Sequence, residues 1–355
     1  MTDLSRWATW AEIHAQPAIW TGWGQSFDAP AARAFVANAQ EVWFTGAGSS
    51  AYLGDILCAG LEGAPGPRLR AVPTTDIVSR PRAFLAGRAP LVVSFGRSGN
   101  SAETIGTLDA LDALAPGAPR LNITCNPAGA LATRPAPGPQ HVILLPEATH
   151  DAGFAMTSSF TTMLLTAAAI FDPCDTAPRL ASLGADLARL LPLYRAHAEA
   201  APPPDRIVFV GAGPLAFAAR ECALKVMELT AGRVPALWDS SLGFRHGPKS
   251  FVTGRTDIVI LTSSDPEAAP YDADLATELR TQFPAARVTA AGPGGDIDIP
   301  MPHGALWGTT LAVPLAQVMA VVWSDAMGLN ADDPFAGQGT LTRVVSGVRL
   351  HRVTP

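Results

Sequence analysis

The chain has 355 residues, a formal net charge of −6 and 48% hydrophobic residues, which suits two domains with a sizeable core and, with no basic run anywhere, argues against a nucleic-acid partner. No apolar stretch reads as long enough to cross a bilayer, and the start (MTDLSRWATW) lacks the basic region and apolar core of a signal peptide. Cys58, Cys125, Cys174 and Cys222 and the seven histidines are scattered without metal-ligand spacing, so the expectation is a cytoplasmic protein with reduced thiols, no metal and no organic cofactor.

Residues 1–30 read as an N-terminal arm, which Trp7, Trp10, Trp20 and Trp23 would anchor on the body or on a subunit partner. From about residue 40, strand-length apolar runs alternate with helical segments, the pattern of parallel α/β architecture. Val42 to Thr45 and Leu91 to Phe95 read as buried strands, and each runs into a Gly- and Ser-rich loop and then a helix (Ala51 to Leu61; Ala102 to Leu114). The loops are Gly46-Ala47-Gly48-Ser49-Ser50 and Gly96-Arg97-Ser98-Gly99-Asn100-Ser101. A glycine turn at a helix start aims backbone N–H groups outward, and the dipole there favours an anion. Two such loops on one sheet would hold one phosphate from two sides, so a phosphorylated small molecule is the expected ligand. Further strands are expected at Leu121 to Thr124 and Val142 to Leu145, and helices at Met156 to Phe171 and Leu180 to Ala200. The His150-Asp151 pair is a possible site neighbour, and Ser158 and Ser159 read as helix-start residues.

Ala201-Pro202-Pro203-Pro204-Asp205 is the clearest linker, since three prolines neither continue a helix nor enter a sheet. The pattern then restarts at Ile207 to Val210. Phe44-Thr45-Gly46-Ala47-Gly48 is echoed by Phe209-Val210-Gly211-Ala212-Gly213, and Leu91-Val92-Val93 by Ile258-Val259-Ile260, as a duplicated domain would give. The copies diverge where the anion would sit. Pro214 and Leu215 replace the paired serines, and Ser264-Asp265-Pro266-Glu267 replaces the second loop, so only the first copy is suited to phosphate. The second copy carries charge elsewhere. Glu221, Lys225 and Glu228 share one face of a helix at i, i+4 and i+7, and Phe244-Arg245-His246-Gly247-Pro248 presents a histidine nearby. Asp332-Asp333-Pro334 reads as a turn, and His14, His141, His197, His303 and His351 suggest no role.

Five segments together resemble the sugar isomerase (SIS) superfamily with two domains in tandem, and within it the galactosamine-6-phosphate deaminase/isomerase branch, also termed tagatose-6-phosphate ketose/aldose isomerases. They are Ser94 to Ser101, Ala155 to Thr161, Glu221 to Glu228, Phe244 to Pro248, and Thr342 to Val348. The resemblance implies an α/β fold of two parallel sheets flanked by helices, three-layered and flavodoxin-like. It divides the chain into a phosphate-binding domain (31–200), a domain carrying the catalytic Glu and His (201–340), and a tail over the active site (341–355). It matches Ser49, Ser98 and Ser101 to phosphate-holding positions, with Gly48, Ser50, Arg97 and Asn100 beside them. Glu228 matches the catalytic base, His246 the ring-opening histidine and Lys225 an active-site position. Relatives supply that histidine from a neighbouring subunit, which implies a homodimer with His246 acting across the interface. They also place a tail lysine over the sugar; here Ser346 stands at that position, and Arg343 is the candidate replacement.

The implied activity is that of an enzyme acting on a hexosamine 6-phosphate. His246 assists ring opening, Glu228 moves a proton between adjacent sugar carbons, and Lys225 stabilises the enolate oxygen. Two alternatives compete. Both Gly loops satisfy GxGxxA (Gly46, Gly48, Ala51; Gly211, Gly213, Ala216), as a dinucleotide-binding oxidoreductase requires, but no acidic residue convincingly ends a second strand for the ribose. A non-catalytic sugar-phosphate-binding module on the same fold is the other, and the presence of both Glu228 and His246 argues against it.

Overall fold

The computed structural model describes residues 3–339, 341–345 and 347–353. After two helices, α1 (Ala8–Ser26) and α2 (Ala29–Val36), the chain runs β1 (Glu41–Thr45), α3 (Ser49–Gly60), β2 (Arg68–Ala71), α4 (Thr74–Ser79), α5 (Pro81–Leu85), β3 (Leu91–Gly96), α6 (Ala102–Leu114), β4 (Arg120–Thr124), α7 (Ala130–Thr133) and β5 (Gln140–Leu144). Two long helices, α8 (Ser158–Phe171) and α9 (Thr176–Glu199), lead to the proline linker. The second half runs β6 (Arg206–Gly211), α10 (Pro214–Leu229), β7 (Ala236–Ser240), β8 (Thr256–Leu261), α11 (Ala269–Gln282), β9 (Arg287–Gly292), β10 (Ile297–Asp298) and α12 (Gly304–Ala326).

Each half forms a parallel five-stranded sheet, ordered β2-β1-β3-β4-β5 in the first and β10-β9-β8-β6-β7 in the second. Both are the 2-1-3-4-5 winding, so the expected tandem α/β architecture is present twice. The strand order reverses between β1 and β3, and between β6 and β8. Open α/β sheets bind ligands at such a switch point, outside the carboxyl ends of the strands. Both Gly- and Ser-rich loops leave from there. The strands read from sequence include the edge strand β5 as well as central ones such as β3 and β8, which are buried along their whole length. Strands β2 and β7 have no fully buried residue, and their mixed sequences (RLRA, ALWDS) carry no strong period.

Helix α3 lies against α10, so the two halves meet through the helices that follow their first strands. Helices α8, α9 and α12 complete the seam. One buried apolar cluster crosses it, from Phe44 and Phe95 through Leu57, Val226 and Leu311 to Phe209. Helix α12 corrects the reading that no stretch is long enough to cross a bilayer. It has 23 residues and a mean hydropathy of 1.6, sufficient by length and composition, and 94% of that window is buried inside the fold. A helix apolar all round belongs in such a core.

The residues read as an arm form α1, which packs on α9 and α8. Trp10, Trp20 and Trp23 are buried, and Trp23 Nε1 donates to Thr166 Oγ1 at 2.9 Å. Buried Gln16 donates to Gln317 Oε1 of α12 (3.0 Å) and accepts from Thr161 Oγ1 of α8 (2.6 Å), joining three helices through satisfied amides. The start of α1 is capped from far along the chain. Asp332 accepts from Ala8 N (2.8 Å), Thr9 N (2.8 Å) and Thr9 Oγ1 (2.7 Å), so the acidic pair read as a turn also terminates the first helix. Replacing a capping carboxylate costs about 1–2 kcal/mol. Asp332→Ala is therefore expected to lower the thermal midpoint by a few degrees, and an unchanged midpoint in a calorimetric scan contradicts this account of the cap.

Candidate active site

The sharp turn after β1 is set by two glycines. A Cβ on Gly46 would lie 2.5 Å from the Ser50 backbone, so only glycine lets α3 begin so close to its strand. Gly48 has φ +56°, a region that side chains disfavour. The loops after β1 and β3 bound a cavity of about 320 Å³ at the switch point, into which the starts of α3 and α6 converge. Gly48, Ser50, Arg97, Ser98 and Ser101 line it, with Met156 and the tail residues Arg343 and Val345 on the far side. Its polar character comes from two helix N-termini and hydroxyls, the chemistry that suits a phosphate. Glu103 and Thr75, which the sequence did not single out, also line it. Glu103 sits just after the loop, in the first turn of α6.

Individual expectations fare differently. Ser98 Oγ accepts from Asn100 N at 3.3 Å, and Ser101 caps α6, accepting from Thr104 N at 3.2 Å. Asn100 does not line the cavity; its Oδ1 accepts from Ala130 N (2.8 Å) and fastens α7. Arg97 lines the cavity but its guanidinium is committed. Nη1 and Nη2 donate to the carbonyls of Gly153, Phe154 and Ala155, and Nη2 to that of Arg343, at 3.1–3.3 Å. Ser49 is turned away from the cavity and accepts a hydrogen bond from Lys225 Nζ at 3.1 Å. Ser346 lies outside the described residues.

The face read on α10 is a buried ion cluster. Lys225 Nζ lies 2.5 Å from Glu228 Oε2 and 3.3 Å from Glu221 Oε1, with Lys225 and Glu221 fully buried and the Glu228 side chain 25% exposed. The assignment of Lys225 to an enolate oxygen is corrected by this arrangement: its ammonium is enclosed by Ser49, Glu221 and Glu228, with no exposed surface. Burial opposes the Lys225 charge, but the two carboxylates hold its pKa above the ordinary value. Burial pushes Glu221 up to about 7 against the opposing pull of Lys225, and neither oxygen of Glu221 has a well-aligned hydrogen bond. Glu228 lies one ammonium away from Ser49, beside the cavity-lining Ser50, and its charge is felt by Arg97. His246 sits in a 3₁₀ turn (Gly243–His246), exposed, and does not line the cavity of its own chain.

A third group organises the loop between β5 and α8. Buried Asp151 accepts six hydrogen bonds, from the backbone N–H and hydroxyl of each of Thr157, Ser158 and Ser159, at 2.5–3.1 Å. The two serines thus serve the start of α8 and face Asp151. His150 is exposed; its pKa is lowered by partial burial and by the nearby Arg343 and Arg97 charges. Arg343 donates to the Asp151 carbonyl, which fastens the tail to this loop. From the other side, Glu12 Oε1 of α1 accepts from Ala152 N (2.5 Å) and Gly153 N (3.2 Å), while its Oε2 is buried without a partner. No motif announces Glu12, a lone carboxylate on a Trp-rich helix. Burial, and then the Asp151 charge, push its pKa up to about 7. The native state therefore binds a proton that the unfolded chain releases near 4.5, and stability falls as pH rises from about 4.5 to about 7. Glu12→Gln keeps an acceptor for both N–H groups and removes the titration. Its unfolding midpoint should gain on that of the wild type between pH 5 and pH 8, whereas parallel curves would refute the assignment.

The SIS domain family matches residues 35–172. The chain is 39% identical to the D-galactosamine-6-phosphate deaminase AgaS of Escherichia coli, over 97% of this chain and 96% of that one. It is 35% identical to the protein of the same name from Shewanella sp. (strain ANA-3), over 99% and 93%. Its fold is similar to the crystal structure of tagatose-6-phosphate ketose/aldose isomerase from Escherichia coli, with a TM-score of 0.88, 35% identity, and coverage of 99% of this chain and 98% of that one. With two sheets of the same winding and relatives of this identity along its whole length, the chain belongs to the SIS family, in its phosphosugar isomerase and deaminase group.

Proposed function

We propose that this enzyme converts a 2-amino-2-deoxyhexose 6-phosphate into the ketose 6-phosphate and ammonia. The observation that supports the reading is the Glu228–Lys225–Ser49 chain, which links a partly exposed carboxylate to Ser49, the neighbour of the cavity-lining Ser50. The phosphate occupies the cavity, held by N–H groups at the starts of α3 and α6 and by the hydroxyls of Ser50, Ser98 and Ser101. The sugar then extends toward Glu228.

The chemistry follows from where charge is available. Ring opening exposes an aldehyde at C1 and needs a proton shuttled between ring oxygen and anomeric hydroxyl, a task suited to an imidazole near neutrality. His246 supplies it from a second copy of the chain, because within one chain it does not reach the cavity. Glu228 then removes the C2 proton, and the electron pair moves onto the aldehyde oxygen, which takes up a proton from water to give an enolamine. Return of the C2 proton to C1, with release of one proton from nitrogen to water, leaves a ketimine at C2. Water adds to the C=N carbon, ammonia leaves, and the ketose remains. Lys225 acts through Glu228 as a positioning residue, since its ammonium fixes the carboxylate without touching substrate. Arg97 likewise positions, holding the loop at residues 153–155 and the tail in place.

The same constellation isomerises an aldose 6-phosphate when C2 carries a hydroxyl, and the similarity to the Escherichia coli tagatose-6-phosphate ketose/aldose isomerase favours that second reading. A panel of hexose and hexosamine 6-phosphates, assayed for both ammonia and ketose, separates them. Ammonia from a hexosamine 6-phosphate is the expected result; ketose without ammonia selects the isomerase, and binding without either product selects a sensor. Glu228→Gln should lower kcat by at least a thousandfold with KM within a few-fold of wild type, and retained turnover removes Glu228 from the reaction. Ser98→Ala should raise KM about tenfold with a smaller change in kcat, because a phosphate handle lies away from the reacting carbons. The reverse split would place Ser98 in the chemistry.

A further inference from the structure

A second polar hollow, of about 480 Å³, lies on the first domain between the α4–α5 corner and the end of the C-terminal tail. Two segments nearly the whole chain apart supply its walls. Arg80 and Arg82 come from the corner, and Arg349, His351 and Arg352 from the tail, with Ser79 beside them. None of the described residues that line it is a carboxylate, in a chain whose formal net charge is −6. Among the described residues, Arg80, Arg349 and Arg352 form no ion pair, whereas Arg70, Arg134, Arg195, Arg220, Arg245 and Arg287 each pair with a carboxylate. The Arg80 guanidinium rests 5.4 Å from the centre of the Phe84 ring, which restrains it.

The tail segment is seated rather than adrift. Leu350 and Val353 are partly buried, Leu350 against Gly106 of α6 and Val353 against the cluster around Trp43 and Ile77. Arg349, His351 and Arg352 between them are exposed. The pattern turns apolar side chains inward and cations toward the hollow. Arg80, Arg349 and Arg352, brought together without an ion-pair partner among the described residues, repel one another.

We propose that this hollow is a second anion site, which takes a small molecule carrying at least two phosphate or comparable anionic groups and clamps the tail to the first domain. Magnitudes set the ligand class. One exposed Arg–anion contact contributes about 0–1 kcal/mol, too little to hold a single phosphate at cellular concentration. Several guanidinium forks on one multiply charged molecule act together, and the volume is that of a small-molecule site. The same tail passes over the catalytic cavity, where Arg343 and Val345 form part of the wall. An anion that bridges Arg80 to Arg352 therefore holds the strap down; the consequence for turnover rests on the function proposed above, whereas the binding itself does not.

Inorganic pyrophosphate, without divalent cations, is the probe. Calorimetric titration of the full-length protein should show binding that weakens several-fold between 50 and 300 mM salt. Ser98→Ala, which perturbs the catalytic cavity, should retain it. The double variant Arg80→Ser/Arg352→Ser, at exposed positions, should weaken it at least tenfold while leaving activity without added anion unchanged. Pyrophosphate should also slow amide hydrogen exchange across residues 341–353 in the wild type and not in the double variant. Arg352→Glu, read by the same titration, provides a second variant should the double one misfold. Equal affinity in the wild type and the arginine variants, loss of binding in Ser98→Ala alone, or an unaltered exchange rate in the tail would each overturn the proposal. If pyrophosphate binds as expected while the sugar-phosphate panel yields no product, the site stands and the reading of the catalytic cavity fails.

Discussion

One buried ammonium holds the two halves of the active site in register. Lys225 is fixed on α10 of the second domain, and its three contacts reach along its own helix to Glu221 and Glu228 and across the seam to Ser49 of α3. Taking three ionisable groups out of water costs several kcal/mol for each one that is charged, and their mutual attraction does little more than offset that. The cluster is therefore poor at stabilising the fold and good at specifying it. Removing one partner strands a buried charge, at a cost of about 3–5 kcal/mol. Any sliding of α3 against α10 would do the same, so Glu228 and the loop after β1 keep a fixed separation.

A second constraint governs the loop from Asp151 to Met156. Its N–H groups are gripped by Glu12 of the first helix, its carbonyls by Arg97 and Arg343, and its carboxylate by the start of α8. Phe154 N donates to Asp332 O at 3.0 Å, and the Phe154 and Phe335 rings meet with centroids 5.2 Å apart. The beginning and the end of the chain thus converge on one short loop beside the cavity. That is why the first helix, remote from any motif, belongs to the site's support, and why buried carboxylates with raised pKa values surround a centre whose own ligand chemistry is anionic.

The two sheets share a winding, but their switch points are furnished differently: a cavity of about 320 Å³ lies at that of the first. In the second domain Asp272 of α11 fills the corresponding place. Its carboxylate accepts from Ser263 N (2.9 Å) and from Ser241 Oγ (2.5 Å), and it is fully buried. The donors that a crevice at the strand ends presents to an anion are there satisfied by the protein's own carboxylate. In the first domain the corresponding loops line a cavity instead.

Local pattern determined a good deal. Short apolar runs mark central strands such as β3 and β8, glycine turns at strand ends read directly as switch-point loops, and i, i+4, i+7 spacing puts Glu221, Lys225 and Glu228 on one face. Each of those signals depends on neighbours within a turn or two of chain. What lay beyond reach were directions and partners set by packing. Ser49 and Ser50 are adjacent hydroxyls of one type, and only the position of α10 decides that the first faces Lys225 and the second the cavity. Arg97 and Asn100 stood beside the expected phosphate positions, but carbonyls at residues 153–155 take the Arg97 donors, and Asn100, whose Oδ1 accepts from Ala130 N, does not line the cavity. Helix α12 has the composition of a membrane span and is a core helix because two layers of helices enclose it. Composition and period fix what a segment can be; the contacts between segments far apart in the chain fix which donor meets which acceptor, and those contacts exist only once the fold is complete.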